Sequence, residues 1–297
     1  MGSFKKITID DIETINKYLK QSQYQSCDYS VANIILWSNV YGTEYAIIED
    51  MLIMKYRNNE IDYFTFPMGE SNHKAALEWM IKYCEEQEIL FQMNPVEPQM
   101  YQLLEQILPG KFSIKYNRDG YDYVYNREDL QNLVGKKYHG KKNHINKFIK
   151  MNPEWTYEDI TNENLDECIE MVKKWCIVNN CCEDKDKAAE ICVVLKALEN
   201  IEVLNLKGGI IRTKEEIVAL TMGEEMKDGM FVIHFEKAFA TVQGAYPMIN
   251  QQFIQHQLTE YQYINREEDL GIEGLRKAKE SYCPEFLVEK GTVVIVK

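Results

Sequence analysis

The chain has 297 residues, about twice an ordinary domain, with 45% apolar and 27% charged residues, so it reads as globular and long enough to bury two cores. A net charge of −13 excludes a protein that wraps nucleic acid with its whole surface, and any contact with RNA or anionic lipid has to be local. The eight cysteines form no Cys-x-x-Cys pair, the polar start MGSFKKITIDD is no signal peptide, and no apolar run nears spanning length; reduced thiols, no metal site and a cytoplasmic setting are expected.

In chain order, residues 8–20 read as a helix with Ile12, Ile15 and Leu19 on one face. Residues 30–41 form a second, more apolar helix. Three short β-branched and aromatic runs at 44–48, 51–56 and 61–67 read as an antiparallel meander. A helix over 72–87, a strand over 89–93 and a helix over 99–108 follow. Residues 112–116 and 121–125 read as a hairpin around Asn117-Arg118-Asp119-Gly120. The second half gives helices at 165–178 and 185–198. A meander follows at 210–213, 217–224 and 230–236, with a turn at Lys214-Glu215. A helix over 247–260, a strand over 261–265, a helix over 270–282 and two terminal strands complete the chain.

Each half therefore repeats one order: two helices, three meander strands, helix, strand, helix, strands. That order resembles the GNAT acyltransferase fold, here in tandem. The expectation is an α+β (α/β) chain with mixed, mostly antiparallel sheets flanked by helices, divided into domains 1–135 and 136–297. The stretches 121–130 (YDYVYNREDL) and 261–270 (YQYINREEDL) look alike, but they occupy different places in their halves, so the duplication rests on element order alone.

Three segments carry candidate chemistry. Residues 136–150 hold Lys136, Lys137, Lys141, Lys142, Lys147 and Lys150, with His139 and His144 and no acid. Such a strip is either a docking surface for phosphates or a solvated face paired with acids elsewhere. In the strand 230–236, alternation places His234 and Glu236 on one face, where either could act as a general base. Gly244, ahead of a helix that carries Tyr246 and Asn250, could offer backbone N–H groups to an anion. In 261–282, Asn265, Arg266, Glu267 and Asp269 crowd a strand-to-helix turn. Arg276 and Lys279 share a helix face that could grip phosphate or carboxylate. Gly271 and Gly274, read as helical, each cost about 1 kcal/mol against Ala and suggest a close backbone approach.

HFEKA (234–238), GAY..IN (244–250) and INREEDLGIEGLRKAKESYCP (264–284) resemble a bacterial family related to the C-terminal domain of phosphatidylglycerol lysyltransferases. KKNHINKF (141–148) matches a motif of the same family and is similar to the basic motif of Fem-type peptidyltransferases. The resemblance implies transfer of an aminoacyl group from charged tRNA to an amine or hydroxyl. The residues it carries over are Lys141, Lys142, His144, Glu236, Asn265, Arg266, Glu267, Asp269, Arg276 and Lys279. Glu236 or His234 would then deprotonate the acceptor, and backbone N–H groups or Arg276 would hold the oxyanion. The donor would be aminoacyl-tRNA docked on the lysine strip, or an acyl-CoA; the acyl-CoA loop Gln/Arg-x-x-Gly-x-Gly/Ala is not intact before Pro247. A peripheral lipid acceptor fits the same resemblance. The competing reading is a non-catalytic protein that binds a small ligand or nucleotide in the same cleft.

Overall fold

The computed structural model describes residues 3–22, 24–214 and 216–296; Glu215, read as half of a turn, lies outside them. The chain forms two compact units, Met1–Asp122 with Val288–Lys297, and Tyr123–Leu287. Among the described residues, each unit centres on one seven-stranded sheet.

In the first unit, β1 (Lys5–Lys6), α1 (Ile12–Leu19) and α2 (Val31–Tyr41) lead into a meander of β2 (Glu44–Ile48), β3 (Met51–Asn58) and β4 (Ile61–Phe64). The helix α3 (His73–Glu86) crosses to β5 (Gln92–Val96), which runs parallel to β4. Then come α4 (Pro98–Ile107) and β6 (Phe112–Tyr116). Helix α1 buries Ile15, Tyr18 and Leu19 at helical spacing. Helix α2 is apolar almost all round and is correspondingly sunk into the unit, with Ala32, Ile34, Ile35 and Leu36 buried.

The second unit starts with β7 (Asp122–Asn126), α5 (Arg127–Asn132), α6 (His139–Met151) and β8 (Trp155–Asp159). Helices α7 (Leu165–Val178) and α8 (Lys185–Glu199) precede the meander β9 (Lys207–Thr213), β10 (Glu216–Glu225) and β11 (Met230–Ala238). Helix α9 (Ala245–Gln257) crosses to β12 (Tyr263–Asn265), parallel to β11, before α10 (Glu273–Glu280) and β13 (Phe286–Val288). Sheet order here is β13-β7-β12-β11-β10-β9-β8. The last strand, β14 (Gly291–Ile295), belongs to the first unit, where the order is β1-β2-β3-β4-β5-β14-β6. Both halves thus have the expected mixed, mostly antiparallel sheet flanked by helices.

Several expectations differ from what the chain does. The units divide at 122/123, so the expected boundary at 135/136 falls inside the second unit. Residues 112–116 and 121–125 do not form a hairpin; β6 and β7 lie in different sheets. The burial pattern gives the reason. Strand β6 is half-exposed, whereas the first four residues of β7 are all buried. A strand buried on both faces needs neighbours on both edges, and β7 finds them in β12 and β13. The look-alike stretches 121–130 and 261–270 turn out to be partners: Tyr263 pairs with Asn126, Ile264 with Tyr125 and Asn265 with Val124, antiparallel. They are neighbours in one sheet and occupy no equivalent positions.

The return of the chain to the first unit is pinned by charge. Lys290, buried, donates to Asp28 at 2.7 Å and to the fully buried Asp122 at 2.6 Å. The other Asp122 oxygen accepts the Cys27 N–H at 2.7 Å. Burial opposes ionisation of Asp28, and the Lys290 charge more than offsets it, so its pKa falls below the usual carboxylate range.

The two glycines of the C-terminal segment differ from expectation as well. Gly271 precedes α10 in a turn with φ of +74°, a conformation that asks for glycine. Gly274 sits inside α10, and a Cβ there would meet nothing within 4 Å. In contrast, a Cβ on Gly223 would stand 2.0 Å from the Val232 carbonyl oxygen. Gly274→Ala should therefore stabilise the protein by about 0.5–1 kcal/mol. Gly223→Ala should destabilise it by about 2 kcal/mol or more. Chemical denaturation of the two variants beside the wild type checks both signs.

Candidate active site

Strands β11 and β12 stay paired for three residues, Met230 with Tyr263, Phe231 with Ile264 and Val232 with Asn265. Beyond that, β11 runs on to Ala238, while the other chain keeps its bonds to β7. The Arg266 N–H donates to the Tyr123 carbonyl, and the Tyr123 N–H donates to the Glu267 carbonyl. The two parallel strands therefore part. A β-bulge marks the place: Met222 opposes Phe235 and Gly223 opposes Ile233, which leaves His234 as an extra residue. Strict alternation would send Ile233 and Glu236 to opposite faces. With the extra residue, Ile233 joins the core that holds Ile249 and Phe253 of α9, and Glu236 meets Asn250 of the same helix.

Side chains lace the gap where backbone bonds stop. His234 donates from Nδ1 to Glu267 at 2.8 Å and from Nε2 to Glu224 at 3.0 Å. Burial favours the neutral ring, but the hydrogen bonds and charges of Glu224 and Glu267 outweigh it and raise the pKa to about 10. His234 is thus an imidazolium at neutral pH. It gives two protons to hydrogen bonds and has no lone pair for a base, which corrects the expectation that it could deprotonate an acceptor. Glu267 is placed by a turn in which the Asn265 side chain accepts its N–H at 2.8 Å, with Glu267 itself at φ +58°.

Glu236 crosses the same gap. Its carboxylate accepts Arg266 Nη2 at 3.0 and 3.2 Å and Asn250 Nδ2 at 3.2 Å. Its side chain keeps 12% exposure, so it remains reachable at the gap. The Arg266 guanidinium carbon stands 4.7 Å from the Tyr282 ring centre. Lys141, from α6, places its Nζ 3.9 Å from the same ring centre. Burial and then the Arg266 charge pull the Lys141 pKa down to about 8, with Glu236 opposing. The Tyr282 phenol is pushed up to about 12 by burial, against the pull of Arg266.

The remaining expected residues form a supporting layer or lie apart. Arg276 clamps Asp269 with two bonds of 2.8 Å, so the guanidinium expected near an oxyanion is committed to a carboxylate. Asp269, fully buried, also accepts the Tyr123 hydroxyl at 2.6 Å and the Gly271 N–H at 2.8 Å. The Arg276 hydrogen bonds hold its pKa far below the usual range despite burial. Lys279 donates to the backbone carbonyls of Arg266 and Glu267 and ties the turn to α10. Tyr125 donates to the Lys279 carbonyl at 2.9 Å. Lys142 and His144 are exposed on α6.

Gly244 is a packing glycine. Its φ is +86°, and a Cβ would stand 2.4 Å from the His144 carbonyl oxygen of α6. The helix it precedes has little to offer an anion. The Ala245 N–H donates to Val242, residue 247 is proline, and the Met248 N–H donates to Gly244. Among the described residues, Tyr246 alone keeps an uncommitted N–H in the first turn. A groove of about 490 Å³ beside the β11–α9 loop, lined by Met171, Ile177, Val218 and Phe239, holds none of the expected site residues.

The structure therefore gathers Lys141, His234, Glu236, Asn250, Asn265, Arg266, Glu267 and Lys279 at one gap. Asp269 and Arg276 stand behind it, and Lys142, His144 and Gly244 stand off it. Sequence reading missed Glu224, Tyr123, Tyr125 and Tyr282. For two of the tyrosines a signal existed: YDYVY (121–125) is an aromatic run, whereas Tyr282 stands alone between Ser281 and Cys283.

A βαβ crossover whose parallel strands part beside the crossover helix, built into a meander sheet and made twice in one chain, defines the tandem GNAT-like class of folds. The chain belongs to the family of the phosphatidylglycerol lysyltransferase C-terminal domain, which it matches over residues 19–292. A crystal structure of a conserved protein of unknown function from Bacteroides thetaiotaomicron is 40% identical, covers both chains completely and superposes with a TM-score of 0.93. L-PGS from Bacillus licheniformis shares the fold at 14% identity, with 95% of this chain and 91% of that one covered and a TM-score of 0.64. A tandem GNAT protein from the clavulanic acid biosynthesis pathway does so at 6% identity, with 99% and 98% covered and a TM-score of 0.51. An uncharacterized protein of Mycoplasmoides gallisepticum is 21% identical over 178 residues, 59% of this chain and 56% of that protein. Among the described residues, no helix is long and apolar enough to cross a membrane.

The His234 ring should titrate near pH 10 rather than near 6.5. Because its folded pKa is raised, its stabilising contribution is fully present below about pH 6.5 and is lost as pH rises towards 10. His234→Asn should lower stability at pH 6 and flatten the decline between pH 7 and 10. NMR of the ring protons and urea unfolding across that range test this; a ring that deprotonates near pH 6.5 would sink it.

Proposed function

We propose that the second unit transfers an aminoacyl group from charged tRNA to an amine or hydroxyl, with Glu236 as the general base. The observation that carries the reading is the seat of Glu236. It lies where two parallel strands part, is oriented by Arg266 and Asn250, and is still reachable at the gap. An acceptor entering there meets a fixed carboxylate that can take its proton as the new bond forms. Family membership supports an aminoacyl donor. The near-empty first turn of α9 disfavours an acyl-CoA, whose phosphates ask for several free N–H groups. Unpaired lysines on and just before α6 suit a tRNA or a lipid surface as partner: Lys136, Lys142, Lys147 and Lys150 have no ion-pair partner among the described residues.

Glu236→Gln keeps the shape and the Arg266 contact but removes the base. It should bind donor as the wild type does and lose about 10²–10⁴-fold in turnover, the usual worth of a positioned base. A radiolabelled lysyl- or alanyl-tRNA pool offered with amine and lipid acceptors reads transfer, and thermal shift reads binding. Undiminished transfer by Glu236→Gln would remove Glu236 from the chemistry. A wild type that binds the pool yet transfers to no acceptor would instead favour the small-ligand or nucleotide binder.

A further inference from the structure

Arg266 has two roles, and the site uses one of them. Its Nη2 holds Glu236, whereas its Nη1, buried, makes no hydrogen bond. A buried guanidinium donor with no acceptor is costly, and in a folded protein it marks a place for something else. A neighbouring cation deepens the anomaly. Lys141 stands over the same Tyr282 ring, has no carboxylate partner among the described residues and feels the Arg266 charge as repulsion. The buried residues of α6 are Ile145 and Phe148, and the 100° step of the helix puts Lys141 between them on that face. Lys147 and Lys150 fall on the opposite, exposed face, and Lys142 is exposed at the flank, one 100° step from Lys141. A lysine on the inner face, whose one attractive acid is the Glu236 already held by Arg266, is not there for solubility. Lys279 adds a third positive charge beside Arg266, but it is answered by Glu267 and Glu268 as well as by Glu236.

We infer that Lys141 Nζ and Arg266 Nη1 form an oxyanion subsite that takes a phosphodiester group of a substrate. A carboxylate fits worse. The two-pronged grip of arginine on a carboxylate needs two adjacent N–H groups, and Nη2 already serves Glu236. One Nη1 and one ammonium from a different helix instead suit a tetrahedral group with oxygens pointing apart. The Tyr282 ring, with its negative face, partly stands in for the anion while the subsite is empty. The inference deepens the transfer reading, because it gives a substrate phosphate a seat beside Glu236.

Isothermal titration of the whole chain with inorganic phosphate, sulfate and acetate reads the subsite without turnover. Phosphate and sulfate should bind in competition, and acetate should not displace them. Lys141→Met should weaken phosphate binding about tenfold or more, the usual worth of a charge-assisted hydrogen bond. Lys173→Met, exposed on α7 and outside the lysine strip, should leave it unchanged. If Lys141→Met loses its near-ultraviolet circular dichroism, Lys141→Arg and Arg266→Lys, which keep the charge, carry the test, with binding retained in the first and weakened in the second. The dinucleotide CpA and glycerophosphoglycerol then separate the sources: competition by CpA assigns a nucleic-acid end, and competition by glycerophosphoglycerol a lipid headgroup. Phosphate affinity that is equal in wild type and Lys141→Met, or acetate that competes as well as phosphate, would overturn the subsite. Loss of transfer in Glu236→Gln with phosphate binding intact would leave both readings standing, and transfer that survives in Lys141→Met together with unchanged phosphate affinity would remove the subsite alone.

Discussion

Everything functional in the second unit depends on two parallel strands ceasing to pair. Where Val232 and Asn265 make their last contact, backbone hydrogen bonding between β11 and β12 ends, and polar side chains take over. Two ion pairs span the gap, His234 with Glu267 and Glu236 with Arg266. They are not equivalent. The first is closed, since both ring nitrogens and both neighbouring acids are occupied, and it fixes the width of the opening. The second is not: the carboxylate keeps some exposure, and the buried guanidinium nitrogen Nη1 is left without an acceptor. Chemistry is expected at the pair that has capacity left.

The bulge at His234 is what makes this division possible. It lets a strand that has been contributing Phe231 and Ile233 to a core present Glu236 towards the same helix three residues later. The helix in turn offers Asn250 amid Ile249, Phe253 and Ile254. A part-buried carboxylate is costly unless its partners are fixed, and both Glu236 partners come from segments held by independent bonds. Arg266 is anchored through its N–H to β7, and Asn250 sits inside a helix.

Much of this was legible before the coordinates. Element order announced the tandem sheets, because helical and strand periodicities survive without knowledge of partners. Glu236, Arg266 and Glu267 stood out through residue type and density. What the sequence could not show was pairing across distance. His234 looked like a base because its two acidic partners, Glu224 and Glu267, lie ten and thirty-three positions away. Arg276 looked available because nothing local shows that Asp269, seven positions before it, will clamp it. Strand β7 looked like half of a hairpin because nothing local reveals that both of its faces will be covered. Lys141 carried a readable clue that was overlooked: its helical phase matches Ile145 and Phe148, not the other lysines.

The placement of the last strand has a consequence for how the protein is made. Strand β14 lies between β5 and β6, so β6 has no sheet partner until residues 291–295 have emerged from the ribosome. Strand β7 waits for β12 and β13. During synthesis both sheets therefore wait for one short stretch: only two residues separate β13 from β14, so neither sheet is complete until this segment is available. The buried Lys290 belongs to that segment: until it arrives, Asp28 and Asp122 have lost neither their hydration nor their need for a cation.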